Sequence, residues 1–288
     1  MNYNALARVT TSTVKNEPFP YVVVDNALPD DLYERLARTY PDPAHLSADK
    51  KAKNNNRYNL LSKWGNTEYP YEEASEEWKA FTEANASPQF VSSVFGFFPD
   101  FVENVGGSPK IDLGKYGPDL AGQIKVAPKV GFDEVIPRVT IGVNSPVTEV
   151  SSVRGAHMDN IRKAYVGLMY FRAPEDDSTG GDLELFRWKA GHKAKNWASK
   201  VPRSEVEVIE TVSYVPNRLV LFLNTSNSLH GVSPRSVTPH WRRLVVLSGW
   251  FTLDEAKAVE TGRGRLKRTL RSFFGGGDKP GAPPANAA

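Results

Sequence analysis

Two of the five histidines in the chain lie in sequence contexts that suit metal binding. His157 belongs to the segment RGAHMDN, residues 154–160, and Asp159 follows it after one residue. Residues i and i+2 of a strand point to the same face, so this pair can present an imidazole and a carboxylate side by side. His230 follows the apolar run NRLVLFLN, and a strand end folded back against the first segment can supply a third ligand.

Two histidines and one carboxylate leave adjacent coordination positions open, which is typical of non-haem Fe(II) oxygenases. The H-x-D motif alone is weak evidence, since any surface strand can carry one. Its order in the chain is more informative: a long series of predicted strands follows, then an HGV turn, then an arginine-bearing strand. The sequence therefore predicts His157, Asp159 and His230 as catalytic iron ligands.

The last predicted strand, WRRLVVLSGWF, places Arg242 and Arg243 at the start of an apolar run. An arginine in a buried strand needs an anionic partner. A dicarboxylate co-substrate is one such partner, because guanidinium binds carboxylates in a bidentate manner. A structural ion pair with a protein carboxylate is the alternative.

The elements that must position these residues are mainly strands. From about residue 135 the chain consists of short runs rich in Val, Leu and aromatic residues, separated by turn residues. This pattern predicts an all-β sandwich or barrel. No helix-length segment separates the runs, which argues against a parallel βαβ sheet.

The flanking segments have other patterns. PFPYVVVDN predicts a strand, LPDDLYERLARTYP a helix, residues 70–105 two helices packed through aromatic faces, and residues 45–66 a polar loop. We expect residues 1–134 to support a catalytic core at 135–252. Residues 253–288 should add a basic helix and a flexible Gly/Pro/Ala tail.

Composition excludes several function classes. The chain has no cysteine, which excludes thiolate metal sites, disulfides and a cysteine nucleophile. No run approaches the roughly 20 apolar residues of a membrane span, and no signal-peptide pattern is visible at the start. We therefore expect a cytoplasmic protein without a membrane span. The net charge of +3 is slight. The basic segment 263–271 could bind nucleic acid or an acidic surface, but such a segment is more often a solvated helix face, so we expect no nucleic-acid partner.

Taken together, these motifs resemble the 2-oxoglutarate- and Fe(II)-dependent dioxygenases, in particular the prolyl-4-hydroxylase-like branch. The resemblance runs from about residue 18 to residue 251. PFPYVVVDNALPDDL is similar to the opening strand and helix of the family, HMDN to its first iron motif, and HGV to its second. KAYVGLMYFRAPEDDSTGGDLELF resembles the two strands between them.

The resemblance implies a double-stranded β-helix, a cupin-like jelly roll with iron at its mouth. It implies that Tyr170 and Leu183 line the 2-oxoglutarate pocket and that Arg243 or Arg242 binds the distal carboxylate. The family places this arginine nearer to the second histidine than here, where it follows His230 by 12 or 13 residues. In a regular strand, Arg242 lies on the same face as Trp250, and Arg243 lies on the opposite face with Val245 and Leu247. Local alignment favours Arg243.

The implied activity is hydroxylation of a small-molecule, sugar or amino-acid-like substrate, with Fe(II), 2-oxoglutarate and dioxygen consumed to release succinate and CO2. The carboxylate of Asp159 favours oxygenation over halogenation, because related halogenases carry a small residue there. The alternatives are a prolyl-type protein hydroxylase, a jelly-roll binding protein without catalysis, and a cupin-type isomerase or hydrolase. The oligomeric state stays open.

Substrate contacts are the least determined part of the prediction. Asn55, Arg57, Tyr58 and Trp64 could cover the pocket mouth, although an ordinary connector is an equal alternative. Arg138 and Arg154 flank the first motif and could contact an anionic substrate. We expect His192 in an exposed basic loop and His240 in surface packing.

Overall fold

The computed structural model describes residues 2–10, 13–64, 67–117, 120–192, 197 and 200–252. Five α-helices occur in this part of the chain: α1 (Asp30–Arg38), α2 (Ala48–Lys51), α3 (Glu76–Asn85), α4 (Pro88–Gly96) and α5 (Leu120–Ile124). The strands are β1 (Val14–Lys15), β2 (Tyr21–Val24), β3 (Arg57–Ser62), β4 (Val102–Val105), β5 (Ser108–Asp112), β6 (Lys129–Gly131), β7 (Val135–Asn144), β8 (Lys163–Tyr170), β9 (Leu183–Trp188), β10 (Val206–Val212), β11 (Leu219–Leu223), β12 (His230–Val232) and β13 (Arg242–Phe251). The predicted basic helix and tail at 253–288 lie outside the described residues.

Two antiparallel sheets form the core. The large sheet has the order β1-β2-β11-β8-β13-β7-β3, and the small one has the order β10-β9-β12. From β7 onward the chain passes repeatedly between the two sheets, and an isolated antiparallel bridge between His157 and His230 extends the small sheet. Apolar residues of both sheets share one buried cluster, which includes Tyr170, Leu185 and Phe222. The predicted jelly roll is confirmed.

The large sheet is buried on both faces. On β8 and β13 the even-numbered residues, such as Val166 and Leu244, face the small sheet. The odd-numbered ones, such as Met169 and Val245, join the cluster that contains the helix residues Leu32 and Trp78. Burial on both faces explains why these strands read as continuous apolar runs without alternation.

The predicted flanking elements are partly confirmed. The opening strand and helix are present as β2 and α1, and the two helices expected in residues 70–105 are α3 and α4. Residues 45–66 are not the simple loop that was predicted, because they contain α2 and then β3, an edge strand of the large sheet. Their polar composition suits an edge strand, which pairs on one side only.

Residues 106–135 show no clear pattern in sequence, yet they contain β5 and β6, which form a three-stranded sheet with the preceding β4 in the order β4-β5-β6. All three strands are short, and β4 and β5 are also largely exposed, so the apolar alternation that would identify them is missing. Within the described residues, the structure contains no helix with the length and apolar character needed to cross a membrane.

Candidate active site

His157, Asp159 and His230 converge at the edge of the small sheet. The backbone N–H of His157 donates to the His230 carbonyl oxygen at 2.9 Å, and the reverse bond measures 3.1 Å. This bridge places the two imidazole rings 4.2 Å apart between centroids. Asp159 Oδ1 lies 3.7 Å from His157 Nε2, and its Oδ2 lies 3.6 Å from His230 Nε2. One potential ligand atom from each residue lies within 4.8 Å of the others.

Both imidazoles are oriented by backbone carbonyl groups. His157 Nδ1 lies 2.8 Å from the Gly155 carbonyl oxygen, and His230 Nδ1 lies 3.0 Å from that of Ser228. An Nδ1–H that donates to a carbonyl leaves Nε2 with a free lone pair. Such hydrogen bonds hold metal-binding histidines in the correct tautomer and orientation. The Nε2 atoms that face Asp159 are therefore the ones available to a metal.

The protonation states of the group suit a divalent cation. Burial lowers the pKa of His230 to about 3, and the neighbouring His157 acts in the same direction. Burial alone would raise the pKa of Asp159, but the neighbouring His157, His230 and Lys163 hold it well below its usual range. A neutral imidazole and an ionised carboxylate are the forms that bind metal ions. The donor set thus fits Fe(II).

The three residues open into a cavity of about 480 Å³ between the two sheets. Its apolar wall comes from cavity-facing residues of β8, β9, β12 and β13, namely Val166, Leu168, Leu183, Val232, Leu244 and Val246. Its polar lining includes five cationic side chains: Arg57, Arg138, Arg154, Lys163 and Arg242. A volume of this size suits a small-molecule ligand.

Arg242 is the arginine of β13 that lines this cavity. Arg242 is only 2% exposed. Its guanidinium lies 4.4 Å from the ring centroid of Tyr214 and 5.1 Å from that of Tyr170. Its Nε has no hydrogen-bond partner among the described residues. A buried cation in this state needs an anionic ligand.

Arg243, which local alignment favoured, points away from the cavity. Its guanidinium lies over the ring of Tyr40 at 5.5 Å, and its Nη2 lies 4.0 Å from a carboxylate oxygen of Glu175. The reason is the alternation of side chains along β13, which assigns even and odd positions to opposite faces. The placement therefore corrects the preference for Arg243, and Arg242 takes its position in the cavity.

Tyr170 and Leu183 both lie in the cavity wall, as the resemblance implied. The Tyr170 hydroxyl is buried and has no hydrogen-bond partner among the described residues. An unsatisfied buried hydroxyl beside a guanidinium whose Nε is unsatisfied marks a place where a polar ligand group would complete both. This pair therefore fits the distal carboxylate of 2-oxoglutarate.

Sequence reasoning missed two residues that set the position of Arg242. The hydroxyl of Tyr214 accepts from the backbone N–H of Arg243 at 2.9 Å and lies 3.2 Å from the carbonyl oxygen of the same residue. The ring of Tyr214 also packs edge-on against that of Tyr170, with 5.2 Å between ring centroids. Tyr214 lies in the segment SYVPN, where only its aromatic character at the end of a strand could have attracted attention.

Arg235 is the second missed residue, and it stabilises the long turn between His230 and Arg242. It is 1% exposed and pairs with Asp176 at 3.0 Å. It also donates to Ser178 Oγ at 2.9 Å and to the carbonyl oxygen of His240 at 3.0 Å. These bonds hold the turn that presents Arg242 to the cavity.

Only some of the residues that were expected to contact the substrate line the cavity. Arg57, Trp64, Arg138 and Arg154 line the cavity. Asn55 and Tyr58 are outside it: the Asn55 amide donates to the carbonyl oxygen of Ser151, and the Tyr58 hydroxyl donates to that of Lys50.

Two further histidines lie away from the cavity. His192 is exposed, as expected. His240 Nε2 lies 4.0 Å from the carboxylate of Asp177 at the surface.

Comparison with known proteins gives distant structural matches. No family model and no curated protein matches the chain. Among solved structures, a prolyl-4-hydroxylase from Pseudomonas putida is 16% identical with a TM-score of 0.42, over 80% of this chain and 91% of that one. A prolyl hydroxylase from Trichoplax adhaerens, solved with a peptide of hypoxia inducible factor, is 12% identical with a TM-score of 0.40, over 91% of both chains.

The Fe(II)/α-ketoglutarate-dependent dioxygenase TqaL is also similar, with 12% identity and a TM-score of 0.42 over 82% of this chain and 84% of that one. Identities and TM-scores this low assign no role to any single residue of this chain. The structural neighbours of this chain are thus prolyl hydroxylases and Fe(II)/2-oxoglutarate-dependent dioxygenases, the group that its sequence motifs resemble.

Proposed function

We propose that the chain is an Fe(II)- and 2-oxoglutarate-dependent dioxygenase that hydroxylates a small molecule and releases succinate and CO2. One observation carries the proposal: a group of two histidines and one aspartate shares a single cavity with a buried arginine that has no carboxylate partner among the described residues. A metal site alone would suit many activities. The metal site together with an unpaired guanidinium suits a metal-chelating dicarboxylate.

Iron and 2-oxoglutarate, when bound, would supply the oxidising power for inserting oxygen into a C–H bond. The protein residues hold and orient the reactants. His157, Asp159 and His230 would hold the metal on one side and leave its other side to the cavity. Arg242 and the Tyr170 hydroxyl would bind the distal carboxylate of the co-substrate, and Leu183 would pack against its methylene groups.

The apolar wall of the cavity has a separate role. Val166, Leu168, Leu244 and Val246 line the space between the metal ligands and the large sheet. Apolar walls exclude water and strengthen the electrostatic contacts inside a site. The cavity volume of about 480 Å³ favours a small-molecule substrate over a peptide, which would need a long open groove.

The test uses purified protein that is mixed anaerobically with Fe(II) and 2-oxoglutarate. We expect a weak visible charge-transfer band and, after air is admitted, slow succinate formation. Asp159→Ala should abolish both, because two imidazoles alone hold the metal weakly. Asp100→Ala removes an exposed aspartate of the same chain and is the matched control.

Two outcomes would contradict the proposal. Wild-type protein that gives neither the band nor succinate would support a jelly-roll binding protein without catalysis. Unchanged turnover in Asp159→Ala would show that the ligand assignment is wrong.

A further inference from the structure

The cavity carries an excess of positive charge that iron and 2-oxoglutarate do not remove. Among the described residues that line it, five side chains are cationic and one, Asp159, is acidic. Fe(II) adds two positive charges and 2-oxoglutarate adds two negative ones, so loading both leaves the balance unchanged. Arg154 is exposed, and Arg154 and Lys163 both lie within ion-pair distance of Asp159. Arg138 and Arg242 have no carboxylate partner among the described residues, and a cation inside a cavity needs a counter-charge. The 2-oxoglutarate carboxylate can serve Arg242 only. A further anion is therefore missing from the loaded site.

The cations lie at two separate ends of the cavity. Arg242 begins β13, whereas Arg138 pairs in register with Ser248, six residues further along that strand. At the rise of an antiparallel strand, six residues correspond to roughly 20 Å. A 2-oxoglutarate molecule spans only about 7 Å between its outermost oxygens. A co-substrate bound to Arg242 therefore cannot reach the Arg138 end.

The Arg138 end is built around the ring of Trp250. The guanidinium of Arg138 lies 5.0 Å from the ring centroid, and Lys163 Nζ lies 5.7 Å from it. The indole N–H donates to Ser248 Oγ at 3.0 Å, which fixes the ring. Arg138 Nε has no hydrogen-bond partner among the described residues. Stacking on an aromatic ring leaves the donors at the edge of a guanidinium free for an anion.

This end adjoins the metal ligands. Lys163 Nζ lies 3.3 Å from Asp159 Oδ2 and also faces the Trp250 ring. Because Lys163 contacts both the Trp250 ring and Asp159, an anion bound against that ring would lie near the metal ligands. That arrangement is what a substrate needs, since the bond to be oxidised must lie beside the reactive centre.

We infer that the substrate is an organic anion, and that Arg138 and Lys163 bind its carboxylate or phosphate group against Trp250. The inference rests on the proposed dioxygenase function and narrows its substrate class. Uncharged sugars and cationic amines are then poor substrates, because they leave Arg138 without a counter-charge.

The test measures binding of small probes to protein loaded with Mn(II) and 2-oxoglutarate under nitrogen, by titration calorimetry and quenching of tryptophan fluorescence. The probes are benzoate, phenyl phosphate and the uncharged benzamide, which matches benzoate in shape. We expect one of the two anions to bind at least tenfold more tightly than benzamide. Which anion binds distinguishes a carboxylate substrate from a phosphate ester.

Variants separate this site from the co-substrate site. Arg138→Gln should weaken anion binding at least tenfold and leave 2-oxoglutarate affinity within threefold, whereas Arg138→Lys should retain most of the anion binding. Arg242→Gln should weaken 2-oxoglutarate binding and leave anion binding to metal-free protein unchanged. Thermal unfolding of each variant checks that the fold is intact.

Equal binding of benzoate, phenyl phosphate and benzamide, or no binding of any of them, would overturn the inference. So would unchanged anion affinity in a folded Arg138→Gln variant. Failure of the wild type to bind 2-oxoglutarate with metal would instead overturn the proposed function, and the two failures are therefore distinguishable.

Discussion

His157 and His230 face each other across a single antiparallel bridge, in which each backbone N–H donates to the carbonyl oxygen of the other residue. Two candidate ligands far apart in sequence are thereby brought together by backbone hydrogen bonds, and the carbonyl groups of Gly155 and Ser228 orient their rings.

Gly231 allows the bridge to form, because a Cβ at this position would lie 2.9 Å from the carbonyl carbon of Gly155 and 3.0 Å from its oxygen. Gly231→Ala should push the two segments apart, lower the free energy of unfolding by about 1–3 kcal/mol and weaken Mn(II) binding. Urea unfolding and metal titration measure both effects.

Gly155→Ala is the matched control for this prediction, since a Cβ there meets nothing within 4 Å. We expect its free energy of unfolding to change by less than about 0.5 kcal/mol. Equal effects of the two substitutions would show that the close approach at Gly231 does not hold the ligands together.

Substitution of Arg242 should weaken 2-oxoglutarate binding strongly, whereas substitution of the adjacent Arg243 should hardly change it. Loss of a charged hydrogen-bonding partner costs about 1.5–3 kcal/mol, so Arg242→Gln should weaken 2-oxoglutarate binding by about 10- to 100-fold. Arg243→Gln should change it by less than about threefold, because that side chain lies outside the cavity. Anaerobic titration with Mn(II) present measures both, and the reverse ranking would restore the alignment-based choice.

Tyr170 and Tyr214 should respond differently to the loss of their hydroxyl groups. Tyr170→Phe removes a hydroxyl without a partner among the described residues, so stability should stay the same or rise while 2-oxoglutarate affinity falls several-fold. Tyr214→Phe removes the acceptor of the Arg243 backbone N–H and should cost about 1–2 kcal/mol of stability. A loss of stability in Tyr170→Phe without loss of affinity would contradict the role given to that hydroxyl.

The buried pair Arg235–Asp176 should make stability sensitive to acid. Burial alone would raise the pKa of Asp176, but the hydrogen bond from Ser178 and the charge of Arg235 hold it below its usual value. The stabilisation is therefore fully present above about pH 4, the unfolded value, and is lost as pH falls through the lower folded pKa.

Arg235→Gln should cost about 3–5 kcal/mol, because it leaves a buried carboxylate without its cation. The pKa of Asp176 should then rise, so acid unfolding should begin at a higher pH than in the wild type. The double variant Asp176→Asn/Arg235→Gln should recover part of the loss. Urea unfolding of metal-free protein between about pH 3 and 7 measures these effects, and a single variant as stable as the wild type would contradict them.

The sequence by itself predicted the candidate metal ligands and the class of fold. The i, i+2 spacing of His157 and Asp159 is a local property of an extended backbone, and the runs of β-branched and aromatic residues predict strands without knowledge of their partners. Turn residues between these runs were sufficient to predict an all-β sandwich or barrel, and the family resemblance specified a jelly roll. These signals are visible because they depend on short stretches of chain.

Only the tertiary structure decided between Arg242 and Arg243. On a strand buried on both faces, hydrophobicity gives no indication of which face meets the cavity, and only pairing with β7 and β8 settles it. The roles of Arg235 and Tyr214 depend on contacts with residues distant in sequence. The same holds for the Arg138 end, where Trp250, Lys163 and Arg138 come from three strands. A cluster assembled across strands leaves no spacing pattern in the sequence, because its geometry exists only after the sheet has formed.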